Sequence, residues 1–183
     1  MESDPIVIDV TQDPPKEMKQ MSTKQKISPC LWFDGNAEEA ARFYTSVFPD
    51  SRIDHVERSS IDYPCGKAGD VILVEFTLAA LSYQALNGGP HDKFNDAISL
   101  SVSCKDQAEV DRIWNALTAN GGKPVQCGWL KDKFGVSWQI VPEEFVTMMR
   151  DKDPKKSKRV MEAMMQMVKL DVAKLRRAYE GAT

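Results

Sequence analysis

No run of this chain approaches the roughly 18–20 consecutive apolar residues that a membrane-spanning helix requires. Residues 1–25 do not combine a basic start with a long apolar stretch, and the five acidic residues among them argue against an organelle-targeting peptide. Four cysteines, Cys30, Cys65, Cys104 and Cys127, lie far apart with no CxxC pair, and with no export signal they are read as reduced thiols. No glycine-rich loop joins a strand to a helix: Gly88-Gly89 and Gly121-Gly122 both lack that context. The usual seat for a nucleotide or a nucleoside methyl donor is therefore missing. These absences predict a cytoplasmic protein with no cofactor of that kind.

What is present is an ordinary globular composition, 42% apolar and 28% charged in 183 residues. The net charge of −3 is unevenly spread. From Arg150 onward there are ten Lys/Arg against five Asp/Glu, so the preceding part is acidic. A basic tail can touch nucleic acid, but these charges share helical turns with an apolar stripe, so a solvated helix face is the reading and nucleic acid is not expected as a partner.

Residues 1–25, with "DPPKE" and no sustained period, read as a flexible extension in which "IVIDV" could form a short strand. "KISPCLWF" reads as a strand, and "DGNAEEAARFYTSVFPDS" as a helix capped by Asn36 with Ala40, Phe43, Tyr44 and Val47 on one face. "RIDHVERSS", "VILVEFTL" and "SYQALN" read as three strands. The order then recurs: strand "AISLSVSC", helix "KDQAEVDRIWNALTANGG" with Val110, Ile113, Trp114 and Leu117 buried, then "KPVQCGWL" and "VSWQIV" around the turn "KDKFG". Two such βαβββ units, offset by about 70 residues, indicate a duplicated module. After Pro142 the pattern is helical, with Asp153-Pro154 and Asp171 as helix starts and a stripe of Val160, Met161, Met164, Met165 and Val168. The predicted layout is an extension over 1–25, a two-module domain over 26–145 and a helical tail over 146–183, an α+β fold.

The stretches "FDGNAEEAARFYTSVFPDS", "LNGGPHDKFNDAISLSVSC", "DQAEVDRIWNAL", "CGWLKDKFGVSWQIVP" and "RVMEAMMQMVKLDVAKL" closely resemble the PhnB-like branch of the vicinal oxygen chelate superfamily, the glyoxalase, bleomycin-resistance and dioxygenase proteins. The resemblance covers about residues 26–178. It implies curved half-open sheets that pair, within a chain or across a homodimer, to enclose a small-molecule cavity. Proteins of this branch often carry the label 3-demethylubiquinone-9 3-methyltransferase, which the absent glycine-rich loop does not support.

Metal-dependent members of the superfamily hold a divalent ion through His and Glu on the first and last strands of each module. Here those strands offer Ser28 and Cys30, Gln84 or Asn87, Ser99 and Ser101, and Gln139 where a Glu would be expected. The two histidines, His55 and His91, lie elsewhere. No tight catalytic metal is expected, a weakly held divalent ion being the one allowance. The expected ligand-binding residues are Gln139, Trp129, Trp138, Ser99, Ser101, Asn87 and His91. The indoles would form the walls and the polar groups would read a carbonyl or hydroxyl. Lys131-Asp132 reads as a solvated turn pair, and Cys104 and Cys127 as small core residues. The expected function is binding of a small, mixed apolar and polar molecule by a homodimer. The alternative is an enzyme of this fold, performing metal-assisted isomerase, lyase or dioxygenase chemistry or the methyl transfer of the family label.

Overall fold

The computed structural model describes residues 25–182; the expected extension with "IVIDV" lies outside the described residues apart from Gln25. Two four-stranded sheets carry the fold. The first contains β1 (Cys30–Phe33), β2 (Arg52–Arg58), β3 (Val71–Leu78) and β4 (Leu81–Asn87) in the order β1-β4-β3-β2. The second contains β5 (Leu100–Cys104), β6 (Lys123–Pro124), β7 (Trp129–Lys131) and β8 (Ser137–Pro142) in the matching order β5-β8-β7-β6. In each, the first strand runs parallel to the last and the remaining pairs are antiparallel. The duplicated βαβββ order read from the sequence is the architecture of the molecule. β6 has only two residues.

Helix α1 (Ala37–Val47) covers one face of the first sheet and α2 (Gln107–Thr118) one face of the second. Alternation along the strands sends Leu31, Phe33, Val74, Phe76 and Ala85 inward from the first sheet, and Leu130, Trp138 and Ile140 inward from the second. Ala40, Ala41 and Tyr44 meet them from α1, and Val110, Ile113, Trp114 and Leu117 from α2, in one continuous core shared by both modules. Trp138 stacks on Phe48 of the first module, with centroids 5.4 Å apart and planes 17° apart. The helix faces are thus turned toward each other and the opposite sheet faces outward.

Helix starts follow two rules. Asp106, Asp153 and Asp171 each accept a hydrogen bond from a backbone N–H of the first turn of α2, α4 (Pro154–Met164) and α5 (Val172–Glu180). Asn36 makes no such bond; the Ala37 N–H is instead taken by Asn87 Oδ1 at 2.9 Å, from the end of β4. The tail begins with α3 (Glu143–Met149), which straddles the boundary expected at 145. Met148, Val160, Leu170 and Leu175 give it a small core of its own. Three of the five residues of the expected methionine stripe face outward: Met161, Met165 and Val168 are exposed while Val160 is buried. No helix among the described residues is long and apolar enough to cross a membrane.

Candidate functional site

The face of the second sheet that the core does not use is built around Gln139. In the ladder it lies between Ser101 on β5 and Trp129 on β7, so the three side chains share that face. Gln139 Nε2 donates to Ser99 Oγ at 2.8 Å, and both Gln139 and Trp129 are half-buried. At the end of this face the linker after β4 folds over. Asp96 accepts from Ser137 Oγ at 2.6 Å and pairs with Lys131 at 3.0 Å. The Ser137 hydroxyl and then Lys131 hold the Asp96 carboxyl below the usual aspartate range.

The open face of the first sheet repeats the arrangement. Cys30, Gln84, Glu75 and His55 lie in one row across β1, β4, β3 and β2, so Gln84 stands beside Cys30 as Gln139 stands beside Ser101. A trough of about 1380 Å³ runs along this face, with Glu75, Thr77, Ser82 and Gln84 on its floor and Arg52, Asp54 and Ile27 on its rims. Gln84 Nε2 donates to Glu75 Oε1 at 3.3 Å, and Thr77 Oγ1 donates to Asp54 at 2.6 Å. A second cleft of about 620 Å³ lies between the start of α2 and α5. Several of its polar groups hold the tail: Gln107 bonds the Leu170 carbonyl and the Val172 N–H, Lys169 pairs with Asp111, and Arg176 pairs with Glu144.

Of the residues expected to bind a ligand, the structure brings together Gln139, Ser99, Ser101 and Trp129. It places Trp138 and Asn87 on the opposite, helix-facing sides. Trp138 is 1% exposed and its Nε1–H is satisfied by Asp132 at 2.8 Å. Alternation explains the split: neighbouring residues Trp138 and Gln139 must face opposite ways. Asn87 spends its oxygen on the start of α1 and its amide on the Val71 carbonyl. His91 stands exposed in the linker, with no hydrogen bond among the described residues.

Two residues escaped the sequence reading. Asp132, read as solvated, is 3% exposed. Its Oδ2 accepts from Tyr44 Oη and Trp138 Nε1, both at 2.8 Å, and its Oδ1 from the Phe134 and Val136 N–H groups. Glu75, the one charge inside the apolar run "VILVEFTL", lies on the open sheet face and was not singled out as a candidate.

The superfamily's metal positions can be tested against this geometry. The open faces of the first and last strands present Cys30, Gln84, Ser101 and Gln139. Two amides, a hydroxyl and a thiol whose pKa desolvation pushes up are neutral donors that grip a divalent cation poorly. No three His, Cys, Asp or Glu side chains converge for a metal among the described residues. The residues do not fit the group.

The family model described as 3-demethylubiquinone-9 3-methyltransferase matches residues 25–141, well over half of the chain. The PhnB protein from Bacillus cereus is similar at 36% identity, covering 64% of this chain and 99% of that one with a TM-score of 0.59. A protein from Pseudomonas aeruginosa shares the fold at 22% identity, covering 65% of this chain and 98% of that one, with a TM-score of 0.54. No curated protein matches the chain. The strand order, the duplicated modules and the match across both of them agree: this chain belongs to the 3-demethylubiquinone-9 3-methyltransferase-like (PhnB) family.

Proposed function

We propose that the protein binds a small organic molecule, part apolar and part hydrogen-bonding, in a chamber made when the open sheet faces of two copies pair. The observation that carries this reading is the Gln139–Ser99 pair beside half-buried Trp129, on a sheet face that the shared core leaves unused. A polar pair and an indole wall in one concavity are the ordinary furniture of a small-molecule site. Pairing is supported by what the single chain leaves uncovered. Among the described residues β1 and β5 each lie at a sheet edge, and an open edge invites another strand. Ile27, Ile61 and Ile98 are 82%, 69% and 77% exposed at the margins of the two sheets.

The donors at the strand positions support binding or substrate orientation rather than Lewis-acid chemistry. Methyl transfer, which the family's name asserts, finds no glycine-rich strand-to-helix loop among the described residues. Gly88-Gly89 closes β4 against Trp32 and Cys65, and Gly121-Gly122 follows α2, so neither begins a helix after a strand.

Light scattering should give a mass about twice 20.6 kDa. A thermal-shift screen of mixed metabolites should find a stabilising ligand, and Gln139→Ala should abolish that shift while leaving the unliganded melting curve in place. A monomer, with no stabilising compound, would end this reading.

A further inference from the structure

Among the described residues, the middle of the first sheet's open face carries one charge without an ion pair. Arg52 is paired with Asp54 at 2.7 Å, and Asp54 also takes the Thr77 hydroxyl. His55 is bound to Glu57 at 2.9 Å, and Arg58 donates to the Gly69 carbonyl. Lys26 and Asp50, of opposite sign and each without an ion pair among the described residues, also line the trough, from the segments before β1 and before β2. Glu75 remains, in the middle of β3 and on the floor of the trough. Its one partner among the described residues is the neutral amide of Gln84, and the geometry is long at 3.3 Å.

A surface glutamate would need no explanation, but this one lies where a partner copy is proposed to close the chamber. A carboxylate taken out of water without a cation costs several kcal/mol. The lysine on the other open face, Lys131, is committed to Asp96 at 3.0 Å. The cation is then best supplied by the ligand. A divalent metal would need several anionic oxygens at one point, and no three His, Cys, Asp or Glu side chains converge for one among the described residues. An ammonium or amidinium needs one carboxylate and a few acceptors, which Glu75, the Ser82 hydroxyl and the Gln84 carbonyl oxygen can supply. Ile27 and Leu81, 82% and 54% exposed on the rim, offer apolar surface to its carbon skeleton.

We propose, resting on the chamber reading above, that this trough takes an organic cation, an alkyl- or arylammonium whose charge is received by the Glu75 carboxylate. Calorimetry with three probes of one size, hexylammonium, hexanol and hexanoate, isolates the head group. The wild-type protein should bind hexylammonium about tenfold or more tightly than either of the others, the gain of one charge-assisted hydrogen bond. Glu75→Gln should erase that preference with an unchanged melting curve, and Glu75→Asp, which keeps the charge, should retain part of it. Hexanol or hexanoate binding as well as hexylammonium, or Glu75→Gln keeping the preference, would overturn the cation while leaving the chamber. No binding of any probe, together with a blank metabolite screen, would remove both.

Discussion

Asp132 shows how one side chain can join two modules. Its turn is local: Gly135 N–H returns to the Asp132 carbonyl, and the side chain accepts from Phe134 N–H two residues on. That much follows from "KDKFG". The burial does not, because the tyrosine that completes it lies 88 residues away in α1. The same turn carries Phe134 against Phe33, Phe43 and Tyr44, and Lys133 onto Glu39 at 2.6 Å. The segment between the two tryptophans is therefore the joint of the molecule, with its flank Trp129-Gln139 on the open face. Asp132→Asn must turn an N–H₂ toward either the Trp138 N–H or the Phe134 and Val136 N–H groups, which only donate, and should cost on the order of 3 kcal/mol in urea unfolding. Tyr44→Phe removes one of four bonds and should cost about 1.5 kcal/mol. The order of the two is the check.

Burial pushes the Asp132 carboxyl above the usual aspartate range, outweighing the Trp138, Tyr44 and backbone bonds that hold it down. A folded-state pKa above the unfolded one means that the folded protein holds the extra proton in the window between them. Asp132's contribution is then fullest below the unfolded value and falls as pH rises through the folded one. The stability gap between wild type and Asp132→Asn should therefore widen as pH is lowered from 7 toward about 4. A gap that narrows on acidification would mean that the hydrogen bonds win instead.

Among the elements, legibility tracked sequence distance. α2, α4 and α5 begin at an aspartate within three residues of the N–H it caps, and two of these, Asp153 and Asp171, were read from the sequence. α1 takes its cap from Asn87, 50 residues away, so Asn36 drew the inference and Asn87 was assigned to a cavity. The tail is placed by a contact of similar range. Cys127 and Gly128 donate to the carbonyls of Met167 and Val168, and Gly128 has φ of 82°. A Cβ on Gly128 would lie 3.0 Å from Leu170 Cγ and 3.1 Å from the Ile140 carbonyl oxygen. Gly128→Ala meets both the backbone penalty and the crowding, and should cost about 2–3 kcal/mol. Because the loss falls at the seam, limited proteolysis should cut between α4 and α5 faster in the variant, with the two modules left intact.

At the scale of the whole molecule, periodicity revealed two copies of one unit, because each buries a stripe that its own residues spell out. How the copies meet was not spelled out. It depends on Trp138, Phe48, Tyr44 and Phe134 fitting across a boundary that no spacing rule describes. That boundary has consequences for folding. Tyr44, Trp138 and Ile140 are at most 1% exposed in the assembled chain, so each module on its own would present a large apolar face to water. The modules should therefore not melt separately. Fluorescence of a Trp32→Phe/Trp114→Phe/Trp129→Phe variant, in which Trp138 at the boundary is the one indole left, and far-UV ellipticity, which reports on both sheets and all the helices, should give coincident urea transitions with one midpoint. Phe134→Ala should shift both probes together by about 2–3 kcal/mol. Fluorescence changing before ellipticity would mean that the modules part while each keeps its fold, and the shared core would then be a contact surface between two stable units.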